Sequence, residues 1–465
     1  MLHLWNTLHR KLEPFTPIEE GKVGMYTCGL TVYDRGHIGN LRCFLFEDVL
    51  HRTLLFLGYS VKHVMNITDV GHLVSDGDEG EDKMEKGSRR TGKTAWEIAR
   101  EYEDWFLKDI KAVGMLMPDA LPRATDHIQE QIEIVKVLEE KGFAYKTSDG
   151  MYFDTAKFPD YGKLSGQKLS EKEAGARVEV NEEKRNPTDF ALWKFTPAGV
   201  KWQMEWESPW GKGCPGWHIE CSAMAAKYLG QPFDIHCGGV DHIPVHHENE
   251  IAQSEAAYDK ALANYWLHSE FITVDGQKMS KSLGNGYTLQ DITDRGFDPV
   301  AYRYFCLGAH YRSKINFTWE ALEGAQNALR KIQRWVVDYK KTQAENQGAP
   351  NEAVLAEFRS AIAEDLNTPK ALALVHGLLR MPPSDAEAPT AYSTMREMDR
   401  VLGLGVEDWL PSNEVIPAEI QALSEARLAA RASKQWAESD RLRDELKAKG
   451  WLVEDSATGS SLRKL

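Results

Sequence analysis

The chain has 465 residues, 42% hydrophobic and 27% charged, which suits about three ordinary globular domains and excludes disorder, collagen or coiled coil as its dominant form. Lys and Arg total 56 against 70 Asp and Glu, a formal net charge of −14, which argues against a partner held by neutralising nucleic-acid phosphates. The six cysteines are too few and too irregularly spaced for a disulfide framework; no apolar run approaches the ~18–20 residues of a membrane span, the start lacks a signal-peptide core, and a cytoplasmic protein is expected.

In chain order, the alternation of Val23, Met25 and Thr27 predicts a strand ending in a turn at Cys28-Gly29. Helical spacing of Leu41, Phe44, Leu45, Val49 and Leu50 follows, Gly58 ends that segment, and 61–68 reads as a second strand. This is the opening of a parallel α/β sheet. Residues 69–93 read as an exposed excursion, Trp96, Ile98, Tyr102, Phe106 and Ile110 mark a helix, and 145–201 reads as an insertion of short strands and turns. Helices over 219–228 and 248–258 with a short strand over 233–236 complete a second α/β half. Beyond Phe317 the pattern is helical, Pro-rich breaks fall at 381–389 and 410–417, and no internal repeat is present.

Two distant segments carry phosphate chemistry. Gly36-His37-Ile38-Gly39-Asn40 opens the first helix, where unpaired N–H groups and the dipole attract anions. Lys278-Met279-Ser280-Lys281-Ser282 lies in a loop flanked by Gly276 and Gly284 and can neutralise charge on a pyrophosphate leaving group. Each alone reads equally as a solvated turn. Together, in this order on an α/β pattern, they resemble the two signature sequences of class I aminoacyl-tRNA synthetases, with Asn40 where the first motif usually ends in His.

A third set suits zinc: Cys28 ends the first strand, Cys221 closes a Cys-Pro-Gly-Trp-His-Ile-Glu-Cys run, and His246 and Glu250 are one helical turn apart. Cys214 and Cys237 are rival ligands by proximity in sequence, and buried cysteines are commonly packing. Thr27-Cys28-Gly29, the His37 motif, Asn66-Ile67-Thr68-Asp69, Pro215 to Cys221, His236, Asp241, His246 to Glu250 and the Lys278 loop together resemble the cysteinyl-tRNA synthetases along essentially the whole chain. The resemblance implies a Rossmann-like α/β catalytic domain over 1–270 with a connective insertion at about 120–201. It also implies a signature-loop and stem-contact region over 271–316, a tRNA-binding helical bundle over 317–410 and a small anticodon-binding domain over 416–465.

By the same resemblance one zinc ion would be held by Cys28, Cys221, His246 and Glu250. ATP, with Mg2+, would meet Gly29, His37, Gly39, Asn40, Lys278 and Lys281, of which His37, Asn40 and the two lysines would be catalytic. Cysteine would meet Thr68, Trp217, His236 and Asp241, and Arg427, Trp436 and Asp440 would touch tRNA(Cys). The implied enzyme is a cytoplasmic monomer that activates cysteine as its adenylate and transfers it to the terminal ribose of tRNA(Cys). Zinc would select cysteine, because shape alone separates such similar substrates by only ~1–3 kcal/mol, whereas zinc takes a thiolate far better than an alkyl hydroxyl. A cysteine-activating ligase with a small-amine acceptor would lack the last domain, a non-catalytic paralogue has no need of intact signatures, and a zinc hydrolase leaves the Lys278 loop unexplained.

The charge is unevenly spread. Residues 426–465 carry +3 and the rest −17, while 301–340 carry +4 with Tyr302, Tyr304, Tyr311, Trp319 and Trp335 interleaved. Basic and aromatic residues together suit RNA, whose unpaired bases stack on rings.

Overall fold

The computed structural model describes residues 1–71, 83–166, 183–279, 283–343, 348–411, 417–456 and 459–464. They form two compact units, Met1–Trp409 and Leu410–Leu465. The first is built on β1 (Lys22–Thr27), α1 (Ile38–Phe56), β2 (Ser60–Met65), α2 (Trp217–Leu229), β3 (Phe233–Gly239), α3 (His246–Tyr258) and β4 (Ala263–Ser269). The four strands are all parallel in the order β4-β3-β1-β2. The chain therefore turns outward in opposite directions from β1 and β3. In open parallel sheets, ligands bind beyond the strand C-termini at such a switch point.

Alternation along each strand divides two cores. Met25, Met65, Ile235 and Leu267 face one core, shared with Leu41, Leu45 and Val49 of α1 and with the helical bundle. Tyr26, Cys28, Val64 and Trp266 face the other, shared with Ile219 and Cys221 of α2 and with Ile251 of α3. Cys28 is thus turned toward the two helices that hold Cys221, His246 and Glu250. Cys237 is turned the other way, into the α1 core, and does not compete as a ligand.

Between β2 and α2 lie helices Lys83–Thr91, Ala95–Ala112 and Ile128–Glu140 and a four-stranded antiparallel sheet. Its last strand is Gly213–Pro215, paired with Phe190–Phe195, so the sheet runs beyond residue 201. After β4 come β5 (Ile272–Val274), β6 (Gln277–Lys278) and β7 (Ile315–Phe317), a three-stranded sheet in the order β6-β5-β7. Helices Trp319–Gln343, Glu352–Ala363, Thr368–Leu378 and Ala388–Leu402 follow. The basic 301–340 stretch is no RNA platform on its aromatic side: Tyr302, Tyr304, Tyr311 and Trp335 are buried, and Arg303 is buried against Asp48 at 2.6 Å. Tyr302, Tyr304 and Trp335 face inward from their helices and Tyr311 from the turn before β7, and packing uses these four rings.

The second unit has helices Ala418–Ala432 and Trp436–Ala448 and a hairpin, Trp451–Ser456 with Gly459–Lys464. Ile420, Leu446 and Trp451 form its core. Among the described residues no helix is long and apolar enough to cross a membrane.

Candidate active site

A cavity of about 760 Å³ opens at the switch point, lined among others by Cys28, Gly29, His37, Gly39, Asn40, Thr68, Trp217, Cys221, Asp241, His246 and Lys278. The His37 turn is built by the start of α1. His37 is the N-cap, and its Nδ1 accepts from the Asn40 backbone N–H at 3.2 Å, while the Asn40 side-chain oxygen accepts from the His37 N–H at 3.0 Å. This reciprocal cap satisfies two otherwise unpaired donors. It also assigns the imidazole proton to Nε2, since Nδ1 is an acceptor.

Gly29 is required by a close approach. A Cβ there would stand 1.8 Å from the Asn66 carbonyl oxygen, and the Gly29 N–H donates to the Asn66 side-chain oxygen at 3.0 Å. The Asn66 side-chain NH2 donates in turn to Thr68 Oγ1 at 2.9 Å. Asn66 was quoted in the sequence motif without a role; its signal was its place two residues before Thr68. On the opposite wall, Asp275 and Gly276, with φ of 50° and 75°, form the tight left-handed turn that an Asp-Gly pair favours in a two-residue hairpin. That turn sets β6 against β5 and brings Lys278 opposite Thr273. Lys281 lies outside the described residues.

At the inner end, the ligand atoms of Cys28, Cys221, His246 and Glu250 all lie within 4.8 Å of one another, and all four residues are buried. A second grouping, Cys28, His236, His247 and Glu250, meets the same limit. Glu250 is gripped from both sides, by His246 Nε2 on Oε1 and His236 Nε2 on Oε2, each at 2.8 Å. Burial opposes its charge, but the two imidazoles more than offset that and hold the carboxyl well below its usual range. His246, although burial disfavours its charge, is pushed up to about 10 by Glu250. The Cys221 thiol is lowered by a hydrogen bond from Cys28, whereas burial and that same contact push Cys28 up. Two thiols, an imidazole and a carboxylate in one dry cluster are a donor set that suits zinc. Cys214 and Cys237 belong to neither grouping among the described residues.

Of the residues expected to meet the amino acid, Thr68, Trp217 and Asp241 line the cavity, the Trp217 ring lying 4.5 Å from that of His246. His236 lies behind Glu250, stacked at 4.7 Å on Trp266. His247 reaches Cys28 Sγ at 3.3 Å and His268 at 2.8 Å; its doubling with His246 was the sequence signal. In the second unit Trp436 and Asp440 are exposed one turn apart on one helix, but Arg427 is buried in that unit with Ile420 and Ser424 on its helix's inner face.

A switch-point cavity between a capped helix N-terminus and an opposing lysine hairpin accords with the class to which the chain belongs, the class I aminoacyl-tRNA synthetases. The model of the class I (C) tRNA synthetase catalytic domain matches residues 14–327, and that of the cysteinyl-tRNA ligase anticodon binding domain matches residues 413–463. The chain belongs to the cysteine-tRNA ligase family, ATP-using ligases that act on tRNA. It is 53% identical to cysteine-tRNA ligase 1 of Burkholderia lata over 99% of this chain and 96% of that one. Against the cysteine-tRNA ligase of Treponema denticola it is 43% identical, with full coverage of both. Solved structures share the fold: methionyl-tRNA synthetase of Mycobacterium tuberculosis with methionyl-adenylate (TM-score 0.56, 16% identity, 83% of this chain and 90% of that one). The LeuRS of Agrobacterium radiobacter K84 with tRNA and LeuAMS gives a TM-score of 0.61 at 12% identity, covering 85% and 86%.

Proposed function

We propose that this ligase activates cysteine as cysteinyl-adenylate and passes it to the terminal ribose of tRNA(Cys), with a zinc ion selecting the thiolate over serine. The observation that carries this reading is a single cavity with buried thiols at one end and the His37–Asn40 cap and Lys278 at the other. Cys28, Cys221, His246 and Glu250 would hold the ion, which when bound supplies a Lewis acid that prefers sulfur to a hydroxyl oxygen. Thr68, Trp217 and Asp241 would enclose the rest of the amino acid, with His236 holding Glu250 from behind.

The cysteine carboxylate would attack the α-phosphorus of ATP in line, forming an acyl–phosphate bond as the bond to pyrophosphate breaks. His37, carrying its proton on Nε2, would donate to a phosphate oxygen beside the positive end of α1, while Gly29 and Gly39 let the nucleotide approach. Lys278 and Lys281, with Mg2+ on the phosphates, would offset charge on the leaving pyrophosphate. A ribose hydroxyl of the tRNA would then take the acyl group and release AMP. Trp436 and Asp440 are the surface candidates for tRNA contact, Arg427 for shaping that surface from within, and the 317–410 bundle for supporting the tRNA.

ATP–pyrophosphate exchange with cysteine and with serine, before and after zinc removal, followed by tRNA charging, tests the reading. Cysteine-dependent exchange that fails on zinc removal and charging of tRNA(Cys) are expected. No cysteine-dependent exchange in zinc-replete protein would reject it, and exchange without charging would point to a small-amine acceptor.

A further inference from the structure

The sheet that carries Lys278 presents a second ammonium to the cavity. Register places Lys278, Thr273 and Asn316 side by side across β6, β5 and β7. Paired residues share a face, as do residues two apart along extended backbone. Lys314 and Phe271 lie just before β7 and β5, where the Ile315 N–H donates to the Phe271 carbonyl at 3.3 Å and carries the pairing one residue further, which sets Lys314 on the face of Asn316. Burial follows the same division: Ile272, Val274 and Phe317 are buried beneath the sheet, whereas Phe271, Lys278, Lys314 and Asn316 are exposed. Phe271, Lys278 and Lys314 all line the cavity.

The neighbouring cations are committed elsewhere. Arg42 donates to the carbonyls of Phe271 and Ser313, which anchors both strands on α1, and Arg312 is paired with Asp365 at 2.6 Å. Asn316 is committed as well, accepting from the Gly276 N–H at 2.7 Å and the Thr273 hydroxyl at 3.0 Å. Among the described residues, Lys314 is the remaining cation on this wall beside Lys278. Two ammonium groups on one sheet face repel each other mildly in water, and a phosphate between or beyond them relieves that repulsion. Lys314 directly precedes β7 and directly follows Ser313, whose carbonyl Arg42 holds, and a lysine on backbone anchored in this way loses less freedom on binding than one on unanchored backbone.

We propose that Lys314 binds a substrate phosphate in this cavity, a phosphate-binding residue additional to the two lysines of the signature loop. This deepens the proposed function and rests on it. The oxyanion chemistry is common to the triphosphate of ATP and to the phosphodiesters at the 3′ end of the tRNA. Kinetics separate these two sources.

The experiment uses the zinc-loaded full chain with Lys314→Ala, Lys314→Glu and Lys314→Arg, measuring cysteine-dependent exchange and tRNA charging. A charge-assisted contact of ordinary strength predicts a KM raised about tenfold or more in Lys314→Ala. The rise should be greater in Lys314→Glu and be restored by Lys314→Arg. A raised KM for ATP in exchange assigns the triphosphate. Unchanged exchange with a raised KM for tRNA assigns the 3′ end. Wild-type KM for both substrates in Lys314→Ala and Lys314→Glu overturns the inference alone, as does a loss that Lys314→Arg fails to restore. A wild-type chain without exchange overturns the proposed function as well, so the two failures are distinguishable.

Discussion

At Cys28 and Glu250 two sets of donors would compete for one ion. Cys221 and His246 complete one set, His236 and His247 the other. Coordination chemistry favours the first, since a second thiolate binds zinc more strongly than another imidazole and His246 and Glu250 come from one rigid helical turn. His236 and His247 then serve as outer partners, gripping Glu250 and Cys28. Losing such a partner commonly weakens metal binding 10–100-fold, by general precedent about that much rather than abolishing it. Cys221→Ser is therefore expected to lose stoichiometric zinc and cysteine affinity together, and His247→Ala to keep zinc at saturation with weaker affinity. Metal analysis after dialysis against graded chelator decides. Full zinc in Cys221→Ser with none in His247→Ala would move the ion to the second set.

At the scale of elements, α1 is the keystone. Its N-terminus carries the His37–Asn40 cap, and Asp48, in its middle, accepts from Arg303 at 2.6 Å and Arg52 at 2.8 Å, and from the Leu116 N–H. Arg303 is fully buried and also donates to the Leu402 carbonyl at 2.5 Å. Burial disfavours the charge on Asp48, yet the two guanidinium groups and the Leu116 N–H more than offset that and hold it below its usual range. Asp48→Ala would strand a buried guanidinium, and a loss of about 3–5 kcal/mol in unfolding free energy is expected by urea titration. A loss under about 1 kcal/mol would mean that water reaches Arg303.

The neighbouring strand β2 supplies an acid response. His63 is buried, with Nε2 2.9 Å from Thr27 Oγ1 and Nδ1 3.3 Å from His51 Nδ1, and burial, helped by His51, pushes it down to about 3. Below pH 6.5 the unfolded chain takes up a proton at this position and the native chain does not. Stability is therefore lost as pH falls from about 6.5 toward 3, at up to about 1.4 kcal/mol per pH unit from this residue. His63→Gln should flatten the fall between pH 6.5 and 5 relative to the parent. Parallel pH profiles of the two proteins would refute this.

On the scale of the whole molecule, the formal charge of −14 belongs to the first unit, because residues 410–465 carry as many basic as acidic side chains. Truncation after Trp409 removes the second compact unit, 410–465, and should leave exchange intact while lowering tRNA charging at least about tenfold and weakening the salt dependence of tRNA binding. Full charging by the shortened chain would assign recognition to the first unit. Much of the fold and site was legible because it rests on short-range pattern: strand alternation at 23–28, helical spacing after Leu41, and the turn-sized separation of His246 and Glu250. The reciprocal cap of His37 and Asn40 lay in the same three-residue spacing, but imidazole is an uncommon capping acceptor. The aromatic stretch from Tyr302 to Trp335 misled because composition does not say which face is inward. Arg427 misled for the same reason, although its spacing from Ile420 and Ser424 already marked an inner face. Lys314 has no motif at all; only the register across three strands separated by some forty residues of chain brings it to Lys278.

The strand order also constrains how the protein is made. The central pairing of the parallel sheet joins Met25 to Ile235 and Thr27 to Cys237, so β1 and β2 leave the ribosome long before the strand that covers the open edge of β1. An antiparallel sheet ending at Pro215 must be spooled out and folded in the interval. During synthesis the nascent chain therefore carries an uncovered edge strand, the kind of surface that recruits wrong partners. The thiols of Cys28 and Cys221 meet only after the antiparallel sheet that ends at Pro215 has been made. Metal capture would mark the moment at which the two halves close, and a pulse of bound zinc or cobalt during refolding would time that closure directly.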